Sequence, residues 1–173
     1  MTTTINASTS SGLVTTPDNS GAIALQNAGV TGLNISASGQ VTTPLQPAFN
    51  AAMSTGAVIS SGNVVVYGNA YTNIGSCYST STGRFTAPVS GMYQFNANIY
   101  SNAATFGSAR FSVNGGTNAA SGPLFQNVGN SNYPTTAMSE AIYLNAGDTM
   151  AIYINSGSMY ADQDCRFSGF LIG

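Results

Sequence analysis

The sequence predicts an all-β protein, a sandwich or jelly roll of short strands behind a short extended N-terminal segment. Apolar residues alternate with polar ones at period two in several stretches, Gly, Asn and Pro punctuate those stretches at short intervals, and no segment has helical spacing. A barrel built from the same strands is the alternative this pattern leaves open.

Residues 1–45 set short apolar pieces in a matrix of Ser, Thr, Asn and Gly: Leu13-Val14, Ala22-Ile23-Ala24-Leu25 and Leu33-Asn34-Ile35. Each piece is strand-length. The tetrapeptide Val-Thr-Thr-Pro occurs at Val14–Pro17 and again at Val41–Pro44, and two copies do not make a repeat architecture. Such a segment has little to bury by itself, so it needs copies of itself or another protein to be stable; a flexible tail is the plainer alternative. The pattern divides the chain into an N-terminal attachment segment, 1–45, and a head domain, 46–173.

Within the head, Tyr93, Phe95, Ala97 and Ile99 alternate with Gln94, Asn96 and Asn98, a strand with one buried face. Ala109, Phe111 and Val113 alternate before Asn114-Gly115-Gly116, which reads as a hairpin turn rather than a phosphate cradle, since no helix pattern or Lys accompanies it. A second hairpin is predicted where Ile142-Tyr143-Leu144 leads through Asn145-Ala146-Gly147-Asp148 into Met150, Ile152 and Ile154. The closing run, Phe167-Ser168-Gly169-Phe170-Leu171-Ile172-Gly173, is apolar on both faces, as in a strand covered on each side by core or by a neighbouring subunit.

Composition narrows function by exclusion. Charged residues make up 5% of the 173 residues, against a usual ~25%, and the positive ones are Arg84, Arg110 and Arg166. A hydrophobic share of 43%, with 9 Tyr and 8 Phe, is enough for a packed core. A net charge of −2 supplies no basic stripe, so nucleic acid is not expected as a partner. Membrane insertion is not expected either, because no run of about 18 apolar residues occurs, and the N-terminus lacks the features of a secretory leader. Cys77 and Cys165 are expected as buried thiols, with a mutual disulfide as the alternative.

An enzyme is not expected. The chain has no His and no Lys, so the usual bases for a Ser or Cys nucleophile are missing. Glu140, Asp148, Asp162 and Asp164 are the candidates for paired-carboxylate chemistry, and Asp148 already has a plainer task in its turn. Asp162-Gln163-Asp164 offers few of the oxygens that calcium requires and reads as a solvated loop; no metal or cofactor is expected. Arg84 reads as a surface or packing residue, or as a contact to Asp162 or Asp164 of a neighbouring subunit. Tyr71, Tyr78, Tyr133 and Tyr160 lie in or near loops and are the candidates for surface recognition of a sugar or protein, with loop packing as the plainer role.

The spacing Asn-x-Gly-x-x-Tyr-x4-Gly-x-Phe-x-Ala-Pro-x-x-Gly-x-Tyr-x-Phe, from Asn73 to Phe95, resembles the globular head of complement C1q and its tumour-necrosis-factor-like relatives. Pro47-Ala48-Phe49-Asn50-Ala51, Ala146-Gly147-Asp148-Thr149 and Phe167-Ser168-Gly169-Phe170-Leu171 resemble other parts of that head in the same order. The resemblance spans residues 46–173. It implies a C1q-like jelly roll assembling as a homotrimer, with Phe49, Phe85, Tyr93, Phe95, Phe167 and Phe170 supplying core and trimer contacts. Two features depart from the family: glycines 12, 21, 29, 32 and 39 do not recur every third residue, so a collagen stem is missing, and Met150 follows Thr149 where many relatives carry Trp.

The stretch from Ser11 to Gln26 is similar to segments of bacteriophage tail-fibre and other particle proteins. Together the two resemblances imply a virion structural protein, assembled in the host cytoplasm and exposed on the particle surface. Residues 1–45 would bind other virion proteins of the capsid or tail, and the head would be displayed as a capsid decoration or short fibre. The alternative is a tail-fibre receptor-binding protein that recognises a host surface glycan or protein.

Overall fold

The computed structural model describes residues 20–101, 107–115, 124–127 and 135–173. The chain divides into two units, Met1–Leu45 and Gln46–Gly173.

In the first unit, β1 (Ile23–Asn27), β2 (Val30–Ile35) and β3 (Val41–Thr42) form a three-stranded antiparallel sheet in that order. The segment expected to be extended is therefore doubled back on itself. The reason is local: Ala28 and Gly29 both take positive φ, 49° and 80°, the primed two-residue turn whose twist matches antiparallel strands. The next connection closes through the Ser36 N–H donating to Gln40 O and the Gly39 N–H donating to Ser36 O, each at 2.9 Å. Register puts Ile23 opposite Ile35, Leu25 opposite Leu33, and Ile35 opposite Val41. Those five side chains share one face; Ala24, Asn34 and Thr42 take the other.

The second unit is a jelly-roll sandwich. Its strands are β4 (Ala48–Ala52), β5 (Ala57–Ser60), β6 (Asn69–Ile74), β7 (Tyr78–Ser79), β8 (Arg84–Thr86), β9 (Gly91–Ser101), β10 (Gly107–Val113), β11 (Leu124–Asn127), β12 (Thr135–Leu144), β13 (Thr149–Ala161) and β14 (Arg166–Leu171). One layer runs β6-β4-β14-β9-β12, the other β7-β8-β13-β10-β11. All pairings are antiparallel, and β13 joins the layers. Its first part pairs with β10, while Ser158–Ala161 pairs with β5, and Met159 and Tyr160 reach across to Ser101 and Tyr100 of β9. The ladder slips between Ser108 and Ala109, leaving Asn155 as an extra residue on β13, and a bulge of this kind bends a strand enough to pass between layers.

Two turns behave differently from their sequence reading. The predicted hairpin through Asn145–Asp148 is a corner between layers: β12 pairs with β9, and β13 pairs with β8 and β10. Its two strands each carry an apolar face, and those faces meet across the core rather than side by side. Asn114 and Gly115 do turn at positive φ, 52° and 75°, and β10 does pair with β11, but that ladder begins only at Arg110 opposite Leu124. Asn114 instead reaches to the β12–β13 corner, where its Nδ2 donates to Asp148 Oδ1 and its Oδ1 accepts from the Thr149 N–H, both at 2.8 Å.

Between the layers lies an aromatic core. Phe49 stacks on Tyr78 with centroids 4.6 Å apart and meets Phe167 edge-on at 4.8 Å; Phe85 meets Tyr93 and Phe95 edge-on at 5.2 Å. Gly169 makes this possible, because a Cβ there would fall 2.5 Å from the Phe95 ring and 2.8 Å from Phe49.

Candidate interaction surface

The six aromatic residues marked by sequence divide between two places. Phe49, Phe85, Tyr93, Phe95 and Phe167 are buried between the layers and bind the subunit to itself. Phe170 is 46% exposed on the open face of β14, since strand alternation turns it opposite to Phe167 and Gly169.

Around Phe170 the open face of the β6-β4-β14-β9-β12 layer is graded. At one end Tyr143 lies opposite Met92, Met92 exchanges backbone hydrogen bonds with Ile172 and Gly173, and Phe170 lies beside Gln94 and Ala48. Tyr143, Met92, Phe170, Ile172 and Ile74 are all exposed, so apolar area collects there. The next row, Ser139, Asn96, Ser168, Asn50 and Thr72, is polar. Gln94 Nε2 donates to Ser139 Oγ at 2.9 Å, and Ser139 Oγ donates to Asn96 Oδ1 at 3.0 Å.

Starting from that row, a hollow of about 370 Å³ is lined by Asn96, Asn98, Met138, Ser139, Arg166 and Ser168, among others. Asn98 secures its rim by accepting from the Arg166 N–H at 2.7 Å and donating to Asp164 O at 3.1 Å. The Arg166 guanidinium donates to the backbone oxygen of Gln163 and lies over the Tyr71 ring, 5.3 Å from its centroid, a cation–π arrangement.

The four tyrosines proposed for recognition are not one site. Tyr71 is 65% exposed on edge strand β6. Tyr78 is a correction: it is 3% exposed, its hydroxyl donates to Tyr67 O at 3.1 Å, and burial pushes its pKa up. Its place next to a turn suggested a surface, but β7 tucks the ring against Phe49. Tyr160 is half-buried in β13, with its ring over Gly56, where a Cβ would fall 2.9 Å from Cζ. Tyr133 lies outside the described residues.

Asp148 accepts from Asn114, from the Asn145 N–H at 2.8 Å and from Asn145 Nδ2 at 3.3 Å. These hydrogen bonds, that of Asn114 foremost, hold its carboxyl below the usual range and bind it to the corner. Asp162 Oδ1 accepts from the Asp164 N–H at 2.9 Å, closing a local turn. Among the described residues, no group of three or more His, Cys, Asp or Glu side chains is placed to hold a metal. Arg84 is half-buried in β8 opposite Ser79. Cys77 and Cys165 are both free and buried, and burial raises both thiol pKa values. Sequence reasoning missed the exposure of Met92, Tyr143 and Ile172 and the hollow beside Arg166. Alternation along β9 and β12 marks which residues face outward, but only cross-strand register groups them.

With layers, crossover and open face described, the comparison with known proteins is decisive: the C1q domain matches residues 48–172. The chain belongs to the C1q domain family. Complement C1q tumor necrosis factor-related protein 3 of Mus musculus is 27% identical over 134 residues, covering 76% of this chain and 53% of that protein. The Homo sapiens protein of that name is also 27% identical, over 130 residues, covering 74% of this chain and 52% of that protein. The chain thus spans about half the length of the curated relatives it matches. Among solved structures, the globular domain of zebrafish complement 1qA superimposes with a TM-score of 0.61 at 21% identity, covering 74% of this chain and 98% of that one. Eiger TNF from S. frugiperda gives 0.56 at 15% identity, covering 75% and 92%. Their shared fold is the C1q and tumour-necrosis-factor jelly roll.

Proposed function

We propose that this C1q-domain chain is a non-enzymatic, homotrimeric structural protein on the surface of a bacteriophage particle, displaying its head and held on the particle by residues 1–45. The observation that carries the reading is the joining, at Leu45–Gln46, of a C1q head to a small unit whose described residues, 20–45, carry no charged side chain and form a single three-stranded sheet. A head with an apolar patch at Phe170, Met92, Tyr143 and Ile172 is suited to self-association, because a contiguous exposed apolar patch marks an interface. Threefold closure would cover that patch in each copy alike. A unit of Ser, Thr, Asn and short apolar pieces, with Asp18 its one charged residue, is suited to packing within a larger assembly rather than to standing in solvent.

Immunogold labelling of intact particles tests the placement. Label across the capsid shell supports a decoration role, and label confined to the tail supports the attachment role with a host glycan or protein as its target. Particles from which the chain is absent overturn the proposal.

A further inference from the structure

The sheet formed by β1, β2 and β3 presents Ile23, Leu25, Leu33, Ile35 and Val41 on one side. Ile23, Leu25 and Val41 are exposed, and Leu33 and Ile35 only half-buried. A β-sheet with one apolar face requires a second layer to take that face out of water.

We infer that the layer covering this face is the same sheet in two other copies of the chain, three apolar faces meeting around a common axis to form a β-prism. Three features argue for copies over a foreign partner. From Ser20 to Leu45 there is no charged side chain, so the face offers none of the charge complementarity by which unlike partners select one another. The apolar cluster on that face, Ile23, Leu25, Leu33, Ile35 and Val41, is complementary to itself under rotation, which is what a symmetric assembly requires. The sheet also runs directly into the head at Gln46, so heads that trimerise tether three sheets at an effective concentration on the order of millimolar. The inference rests on the trimeric reading of the head. It assigns the apolar face to self-association and leaves the Ala24, Asn34 and Thr42 face outward.

The test uses the full-length chain. Leu33→Asp places a charge on the inner face, and Ala24→Asp places the same charge on the outer one. Burying an unpaired carboxylate is costly enough that Leu33→Asp should raise the concentration at which trimers dissociate, followed by native mass spectrometry, by roughly 100-fold or more. Ala24→Asp should move it less than about threefold. Bismaleimide treatment provides a second readout that does not depend on destabilisation: Leu33→Cys should give covalent dimers between copies, and Ala24→Cys should not. Native Cys77 and Cys165 are buried and set a low background. A wild-type chain that is monomeric overturns the trimeric reading itself. A wild-type trimer with equal dissociation in both Asp variants and no crosslink at position 33 overturns the prism alone, and loss of particle incorporation with an intact trimer would assign the face to a virion protein instead.

Discussion

Gly169 sits at the centre of the closing strand, and replacing it with Ala adds one methyl group to a place already occupied by two rings. The added Cβ would lie 2.5 and 2.6 Å from Phe95 Cδ1 and Cε1 and 2.8 Å from Phe49 Cε1, well inside van der Waals contact. Neither ring can step aside freely. Phe95 packs against Phe85 at 5.2 Å and Phe111 at 6.3 Å, and Phe49 is stacked on Tyr78. Overpacking of a closed core costs about 1 to 3 kcal/mol. With an unfolding entropy of roughly 2.1 cal/mol/K per residue, the Gln46–Gly173 unit loses about 4 to 11 °C of melting temperature. Calorimetry at fixed protein concentration reads this shift, since oligomer stability depends on concentration. Gly32→Ala is the control, because its Cβ approaches nothing nearer than the Leu25 carbonyl oxygen at 3.8 Å. Phe95→Leu combined with Gly169→Ala should cost less than the sum of the two alone, as neighbours that share a contact do not add. A Gly169→Ala melting temperature within about 1 °C of wild type would refute the packing argument.

The remaining predictions follow from the turns and the open face. Tyr78→Phe leaves the Tyr67 carbonyl without its buried donor and should lower stability by about 1 to 3 kcal/mol, measured by urea titration. The Asp148 carboxyl is held below its ordinary value of 3.8, so it titrates lower when folded than when unfolded. Its contribution is present above pH 3.8 and lost as pH falls through the folded value; the acid limb of a melting-temperature profile should flatten in Asp148→Asn and in Asn114→Ala. Phe170→Asp should leave far-UV circular dichroism unchanged while shifting native mass spectra from trimer to monomer, and a trimer of undiminished stability would remove Phe170 from the interface. Tyr71→Ala removes the ring beneath Arg166 and should change stability by no more than about 1 kcal/mol, because the Tyr71 ring is exposed.

The all-β class and the C1q head are legible in the sequence alone, because each rests on local pattern. Period-two alternation from Tyr93 to Ile99 states which side of β9 is buried, and the Asn73–Phe95 and Phe167–Leu171 motifs preserve residues that the core demands at short range. Sequence also marked the Ala28-Gly29 region only as a gap between apolar pieces, while the positive φ at both residues turned an expected extended lead into a closed sheet. Tertiary structure decided what depends on partners distant in the chain. Asn145–Asp148 looks like any tight hairpin turn, yet β12 and β13 pair with strands of different layers, because their apolar faces are satisfied across the core. Tyr78 next to a turn looks exposed until Phe49 covers it, and Phe167 and Phe170 look alike until β14 is seated between β9 and β4 and only one of them faces inward. Alternation assigns a residue to one of two faces; which face becomes core is settled by what packs against it.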